Sequence, residues 1–227
     1  PVALNTGTLS VGGNFLIVPP ADKTKVYGDV FAAFTGTIVG LQPGDIITAT
    51  YASTGAGANA AIGNYDITAT LVDPGGKLGN YTVIMNTGTL SVTPRALIVT
   101  PDNKAKAFGT VFNAFTGTVV GLQNGDAITE TYASTGAPAA AVAGSYPITV
   151  TLNATPAVLA NYTVTLNTGI LTVGSNVLTV TANNQTIVYG NPDPIFTFTY
   201  AGFQGGDTAA VIDTPPTCQV SVAHNAV

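Results

Sequence analysis

The sequence predicts a mostly-β protein built from tandem repeats. Three observations support this fold class. Apolar residues alternate with threonine along several short segments, which is typical of half-buried strands. The chain also repeats itself at a constant step of 81 residues, as arrays of small repeats do. Finally, Glu occurs only at Glu130, whereas long helical proteins are rich in Glu, Lys and Arg.

Composition excludes several further classes of protein. Charged residues make up 7% of the 227 residues, against about 25% in ordinary soluble domains. An apolar content of 46% argues against a disordered chain. Six cations and a net charge of −5 argue against nucleic-acid binding. No apolar run approaches the ~18 residues of a membrane span. Polarity comes instead from hydroxyls and amides, with 36 threonines and 26 glycines.

The repeats set the predicted domain organisation. Residues 16–96 and 97–177 are identical at 47 of 81 positions without a gap. Leu16-Ile17-Val18 recurs at Leu97 and, with one change, at Leu178. We therefore predict four segments: residues 1–15 as the terminal strand of a preceding or neighbouring repeat, 16–96 as the first repeat, 97–177 as the second, and 178–227 as a third that is incomplete at its C-terminus.

The two ends of the chain allow two interpretations. Residues 1–15 align with the closing part of a repeat, and residues 178–227 align with an opening part. The chain begins at Pro1 without a signal peptide, so we expect an internal or processed piece of a longer array. Alternatively, the N-terminal strand of one chain completes the last repeat of a neighbour by strand addition and so builds a filament.

Each complete repeat is predicted to close with a hairpin. Residues 162–166 alternate apolar and polar side chains, Asn167-Thr168-Gly169 suits a turn, and residues 170–173 form the return strand. Residues 81–85 and 90–92 repeat the pattern. Further strands are predicted at residues 146–152, 178–181 and 196–200. A brief helix capped by Asp207 is predicted at residues 207–212.

The order of short motifs resembles a known family. Tyr27-Gly28 recurs as Phe108-Gly109 and Tyr189-Gly190, and the segments 144–149, 161–173 and 202–208 follow at constant spacing. Together these residues are similar to the MBG repeats (YGX type) of large bacterial surface and secreted proteins. The resemblance implies β-grasp-like repeats of about 81 residues forming an extended rod, with Ig-like β-sandwich repeats as the alternative. It implies no shared catalytic residues.

No set of residues predicts catalysis. Cys218 and His224 have no counterparts in the other repeats. Their six-residue separation spans about 20 Å along an extended strand, too far for a nucleophile–base pair. Glu130 has no repeated acidic partner that would serve glycoside hydrolysis. We therefore predict that the protein is not an enzyme and has no catalytic, cofactor-binding or metal-binding residues.

Some repeated side chains have alternative interpretations. Asp45, Asp126 and Asp207 are interpreted as turn residues, because Asp hydrogen-bonds local backbone in Gly-Asp turns. Calcium binding is the alternative, but it usually needs several clustered oxygen ligands. The aromatics at the Tyr-Gly motif are interpreted as anchors of a small core at a strand end, with a sugar-stacking platform as the alternative. These aromatics are Tyr27, Phe108 and Tyr189.

Two covalent modifications are also compatible with the sequence. Asn80, Asn161 and Asn184 fit the N-glycosylation pattern, but strand roles are favoured. Lysine–asparagine crosslinks would use lysines that have no counterpart in the third repeat, which argues against them. The lysines concerned are Lys23, Lys25, Lys104 and Lys106.

The preferred function is structural. Near-identical consecutive repeats favour a non-catalytic stalk, adhesin or matrix filament at the cell surface or outside the cell, because spacing needs copies rather than a unique site. The expected partners are neighbouring repeats or copies of the same chain. A module that binds glycans or a cell surface is the alternative. An ice-binding surface is disfavoured, since the threonines follow ordinary strand alternation.

Overall fold

The computed structural model describes residues 12–219 and confirms a mostly-β chain with tandem repeats. The strands of the first repeat are β1 (Asn14–Val18), β2 (Lys23–Val26), β3 (Thr48–Ser53), β4 (Gly63–Val72), β5 (Tyr81–Met85) and β6 (Gly88–Thr93). The second repeat contains β7 (Arg95–Pro101), β8 (Lys104–Ala107), β9 (Gly117–Val120), β10 (Thr129–Ala133), β11 (Gly144–Asn153), β12 (Tyr162–Leu166) and β13 (Gly169–Gly174). The third contains β14 (Thr179–Ala182) and β15 (Phe198–Ala201).

The chain forms two compact units that do not follow the sequence repeats. Within the described residues, the first unit comprises the chain up to Ile98 together with Val119–Thr129 and Asn153–Thr165. The second unit comprises Val99–Thr118, Glu130–Leu152 and the chain from Leu166 onward. The first unit therefore contains the whole first repeat, the first two residues of the second repeat and two further segments of the second.

The first unit contains a four-stranded sheet in the order β2-β6-β4-β3. β2 pairs with β6 in parallel, and the other two pairings are antiparallel. β1 pairs separately with β5, also in parallel. Alternate residues of β6 are buried, as the two-residue period of a strand requires. Leu16, Ile47 and Tyr81 form a buried apolar cluster.

The second unit repeats the four-stranded arrangement. Its strand order is β10-β11-β13-β8, the counterpart of the first sheet. β13 pairs in parallel with β8 and antiparallel with β11. β14 and β15 form a two-stranded antiparallel sheet.

The predicted closing hairpins are wrong. β5 pairs with β1, whereas β6 lies between β2 and β4. β12 likewise lies in a sheet with β7 and β9, whereas β13 lies between β11 and β8. Gly88 and Gly169, at the ends of the connections after β5 and β12, are needed because a neighbouring backbone carbonyl lies too close for a Cβ, and not because the backbone is left-handed. A Cβ on Gly88 would lie 2.9 Å from the Pro20 carbonyl oxygen, and one on Gly169 would lie 2.9 Å from that of Pro101.

Helical structure is limited to short turns in the described residues. The helix predicted at residues 207–212 is a single 3-10 turn, Ala209–Val211, capped by Thr208 rather than by Asp207. Further 3-10 turns lie at Thr54–Ala56 and Leu78–Asn80. The sequence analysis missed α1 (Pro156–Leu159), which has Thr155 as its N-cap and Pro156 in its first turn.

Two buried lysines hold the loops that follow β2 and β8. Lys25 Nζ donates to the carbonyl oxygens of Asp29, at 2.9 Å, and Gly57. Lys106 Nζ donates to the two equivalent carbonyls in its repeat, those of Thr110 (2.7 Å) and Pro138, and also to that of Ala137 (3.2 Å). Burial lowers the pKa of Lys25, and the nearby Asp29 carboxylate opposes that shift. The third repeat has Ile187 at this position, so these ties are confined to the first two repeats.

We predict that Lys106→Met destabilises the protein by about 2 kcal/mol, because partly buried carbonyls lose their donor. Urea denaturation followed by circular dichroism measures this loss. Lys104→Met is the matched control, since its Nζ makes an ion pair with Asp102 at 3.5 Å that is worth about 0.5 kcal/mol. Equal losses for the two variants would contradict the structural role of Lys106.

Candidate functional site: the tyrosine junction between repeats

Tyr27 packs against residues of the second repeat. Its ring meets the ring of Tyr162 edge to face, with centroids 5.5 Å apart and planes at 79°. Such edge-to-face pairs stabilise a contact beyond the area that they bury. Only 4% of Tyr27 remains exposed. We call the cluster of Tyr27, Gly28, Gln123, Asp126 and Tyr162 the tyrosine junction; it lies within the first compact unit.

The Asp126 carboxylate accepts hydrogen bonds from both tyrosines. Tyr162 Oη donates to Oδ2 at 2.6 Å, and Tyr27 Oη donates to the same oxygen at 2.9 Å. Hydrogen bonds to an ionised group are stronger than neutral ones. Burial, followed by the hydrogen bond to Asp126, raises the pKa of Tyr162 to about 12. Burial also raises the pKa of Tyr27, so both phenols are held in the donating form.

A tight turn positions the carboxylate. The Asp126 amide donates to the Gln123 carbonyl at 2.9 Å, which closes the turn. Asn124 and Gly125 occupy its two central positions with positive φ, a conformation that Asn and Gly tolerate. The Gln123 amide donates to Tyr162 Oη at 3.0 Å. Hydrogen bonds therefore join the turn to the first residue of β12 without the participation of Tyr27.

Gly28 allows the two repeats to approach. Its φ of +89° favours glycine, and a Cβ there would lie 2.5 Å from Gln123 Cγ. Gly109 makes the equivalent approach in the second compact unit: its φ is +80°, and a Cβ would lie 2.6 Å from Gln204 Cβ. The glycine of the Tyr-Gly motif thus leaves room for a glutamine of the following repeat.

Asn161 adds hydrogen bonds beside the tyrosines. Its Oδ1 accepts from the Ile62 amide at 3.0 Å, and its carbonyl accepts from the Arg95 amide at 3.0 Å. Arg95 Nε then donates to the Tyr27 carbonyl at 2.6 Å, and its guanidinium pairs with Asp29. Asn161, which fits the glycosylation pattern, is 8% exposed; its buried side chain holds the junction together.

The equivalent contact between the second and third repeats, which we call the second junction, lacks the tyrosine hydroxyl. Phe108 is half-buried and occupies the position of Tyr27. With Gln204 and Asp207 it lines a cavity of about 260 Å³ in the second unit. A phenyl ring cannot donate to the Asp207 carboxylate. The second junction therefore keeps the glycine–glutamine contact and omits the shared carboxylate.

The structure changes the interpretation of two sequence-predicted residue sets. The turns at Asp45 and Asp126 are present, but their carboxylates accept from tyrosine hydroxyls rather than from the local backbone. Tyr27 contacts the next repeat, whereas Tyr189 is exposed. One repeated spacing could have indicated these tyrosine–aspartate bonds. The tyrosine of the Asn-Tyr-Thr motif, Tyr81 or Tyr162, follows the turn aspartate by 36 residues in both complete repeats.

The remaining candidate residues form no metal-binding group within the described part of the chain. Within residues 12–219, no group of three or more His, Cys, Asp or Glu side chains is placed to hold a metal ion. Cys218 is partly exposed, and His224 lies outside the described residues. Glu130 lies in β10. No helix in residues 12–219 has the length and apolar character needed to cross a membrane.

These features define a tandem β-repeat protein whose first two repeats are joined by hydrogen bonds and by a contact between tyrosine rings. The sequence profile of the MBG domain (YGX type) matches residues 16–91, 97–172 and 178–226. The chain therefore belongs to this family, whose repeats occur in large surface proteins. No curated protein matches the chain.

Two multidomain solved structures show a distant similarity. Drosophila N-cadherin EC1-4 matches with 10% identity and a TM-score of 0.28, covering 74% of this chain and 52% of that structure. Sidekick-1 immunoglobulin domains 1–4 match with 12% identity and a TM-score of 0.27, covering 79% and 57%. The chain thus spans little more than half the length of each, and TM-scores this low do not define a shared fold.

We predict that Tyr27→Phe destabilises the first compact unit by about 1.5 kcal/mol, because one hydrogen bond to a carboxylate is lost while the ring contact is kept. Urea denaturation measures the change. Tyr51→Phe is the control, since its hydroxyl makes a long, exposed 3.4 Å hydrogen bond to the Thr37 carbonyl and should cost about 0.5 kcal/mol or less. No loss for Tyr27→Phe would show that the shared carboxylate does not stabilise the junction.

We predict that alkaline pH destabilises the junction. The pKa of Tyr162 is about 12 in the folded chain, against about 10 when unfolded. The unfolded chain therefore loses this proton first, and stability falls as pH rises from about 10 to about 12. Denaturant midpoints across that range measure the slope, which Tyr162→Phe should flatten. Tyr146→Phe, at an exposed hydroxyl bonded to the Val142 carbonyl, should keep the wild-type slope; equal slopes in both variants would contradict the assignment.

Proposed function

We propose that this segment is a non-catalytic structural part of an extracellular bacterial surface protein or fibre, serving as a stalk, adhesin arm or matrix filament. The observation that carries this proposal is the tyrosine junction, in which Asp126 accepts from Tyr27 of the preceding repeat and Tyr162 of its own. This buried polar cluster thus joins two repeats. Nearest-neighbour contacts of this kind stabilise arrays that extend by adding copies.

Repetition of the contact supports this proposal. The glycine–glutamine approach occurs at Gly28 in the first unit and at Gly109 in the second. The turn that presents the glutamine is closed by the same hydrogen bond in all three repeats, with Asp45, Asp126 and Asp207 as donors. Family membership supports it too, because MBG repeats are typical of large surface proteins.

A glycan-binding module is the second candidate. A groove of about 630 Å³ runs over β3 and β4 and is lined by Ser53, Asn64, Tyr65 and Asp66 among others. Hydroxyl, amide and carboxylate groups beside an aromatic ring are suited to sugar recognition. A glycan array probed with the full chain separates the two functions. Specific binding that Tyr65→Ala abolishes would favour the glycan module; no binding is expected for a structural segment.

The finer proposal concerns assembly. We propose the boundaries 1–15, 16–96, 97–177 and 178–227, with residues 1–15 of one copy completing the third repeat of another. Leu178 and Val180 of the third repeat are 39% and 40% exposed, whereas Leu16, Val18, Leu97 and Val99 at the equivalent positions are fully buried. In the first repeat this apolar strand is paired by β5.

Disulfide trapping tests the strand exchange. Applying the Ile17–Ile84 register of β1 and β5 to the proposed exchange would put Ala3 of one copy opposite Thr179 of another. In a Cys218→Ser background, Ala3→Cys with Thr179→Cys should give a ladder of covalent multimers on non-reducing gels. Ala3→Cys with Thr186→Cys, an exposed position outside β14, is the control. Equal products from both pairs would refute the exchange and leave the structural function standing.

A further inference from the structure

The turn that presents Asp126 contains the only Asn-Gly pair of the sequence, Asn124-Gly125. In such a pair the backbone nitrogen of the glycine attacks the asparagine side-chain amide readily, because glycine has no side chain to hinder the approach. The equivalent turns carry Pro43-Gly44 in the first repeat and Gly205-Gly206 in the third. Among the three turns, this chemistry is therefore open only to that of the second repeat.

Both reacting groups are accessible at the surface. Asn124 and Gly125 are exposed, and among the described residues nothing lies within 4 Å of a Cβ placed on Gly125. The Gly125 amide donates no hydrogen bond within the described part of the chain, so no acceptor holds the attacking nitrogen. Water, the other reactant that the conversion of an amide to an acid requires, reaches the same exposed turn.

The closed junction engages the amide that would react. Asn124 Nδ2 donates to the Ala58 carbonyl of the preceding repeat at 3.1 Å. Burial raises the pKa of Tyr27, and the Asn124 side chain lies close enough to the phenol to oppose this rise by hydrogen bonding. The nitrogen that bonds Ala58 is also the one that must leave during deamidation. The reaction therefore breaks a contact between the two repeats, and that contact protects the amide while the junction is closed.

We propose that Asn124 is a site of spontaneous deamidation that reacts when the tyrosine junction opens, and that the product then weakens the junction. The Gly125 nitrogen attacks Asn124 Cγ, so that a bond forms between these atoms. The Cγ–Nδ2 bond breaks, and ammonia leaves with the proton of the Gly125 amide. Water then opens the cyclic imide at one of its two carbonyls and gives aspartate or isoaspartate. The whole conversion consumes one water and releases one ammonia.

The product cannot restore the contact between the repeats. A carboxylate at position 124 has no N–H to donate to the Ala58 carbonyl. It also adds negative charge beside Asp126, whose carboxylate both tyrosines share, and like charges repel. Isoaspartate further inserts a methylene into the backbone of the turn that the Asp126 amide and the Gln123 carbonyl close. An opening that ends in reaction therefore leaves a covalent mark and a weaker junction.

Timed incubation of the full chain in mildly alkaline buffer tests the reaction, and mass spectrometry of the peptide that contains Asn124 measures the converted fraction. Tyr27→Phe should raise the rate about tenfold, because a reaction from the opened state follows the population of that state. Tyr51→Phe, at an exposed hydroxyl, should convert at the wild-type rate. Equal rates for the two variants would overturn the proposal, as would an Asn124 that stays intact in the urea-unfolded chain.

A core variant separates opening of the junction from unfolding of the whole first unit. Ile67 is fully buried in β4 and contributes no group to the junction, so Ile67→Val destabilises the unit through its core alone. Its rate of conversion should stay within about twofold of the wild-type rate, because local opening does not require global unfolding. A rate raised as much as in Tyr27→Phe would show that global unfolding exposes Asn124 and would overturn the coupling to the junction.

Aged protein tests the consequence. Anion exchange separates the deamidated chain, which carries additional negative charge, and its urea midpoint should lie below that of the fresh chain. Asn124→Gly reproduces the Gly205-Gly206 turn of the third repeat, whose φ values are also positive, and its midpoint should not change on incubation. Tyr27→Phe should cost less stability in an Asn124→Asp background than in the wild type, because both groups act in one junction. An unchanged midpoint after deamidation, or equal costs in the two backgrounds, would refute the weakening.

Discussion

A carboxylate shared between two tyrosines is the interaction on which the join between the first two repeats depends. Asp126 accepts one phenol from its own repeat and one from the repeat before it. Because burial raises the pKa of both phenols, the two donors keep their protons over the ordinary pH range. The contact is directional as well as apolar, so it fixes one relation between these neighbours where apolar packing alone would tolerate several.

Other hydrogen bonds of the first unit position the two sides of that contact, the loop after β2 and the turn that ends at Asp126. Lys25 hydrogen-bonds the carbonyls of Asp29 and Gly57 and so holds the loop that carries Tyr27 and Gly28. On the other side, the turn ending at Asp126 is closed by backbone hydrogen bonding and fixed to Tyr162. Local hydrogen bonds therefore hold the backbone on each side of the contact, which limits the conformational entropy that the contact must offset.

The three repeats differ in how many of these junction groups they contain. The first junction has the full set of groups, and the second replaces Tyr27 with Phe108 and loses the hydroxyl. The third repeat retains Tyr189 but lacks the buried lysine, with Ile187 in its place. Repeats that share the same 81-residue register therefore differ in the groups that join them. In an array whose stability is a sum of repeat and interface terms, such differences decide which segment opens first.

The sequence by itself determined the strand content, the 81-residue register and the family, because alternation and spacing are local or periodic properties of the chain. It could not determine which strands pair: a two-residue period fixes the face of a strand but not its partner, so β5 and β6 were wrongly expected to form a hairpin. Nor did the sequence indicate that Lys25 is buried and bonded to backbone carbonyls. Only the tertiary structure brought Tyr27 to Asp126 across 99 residues, because the hydrogen bond that joins them is a long-range contact.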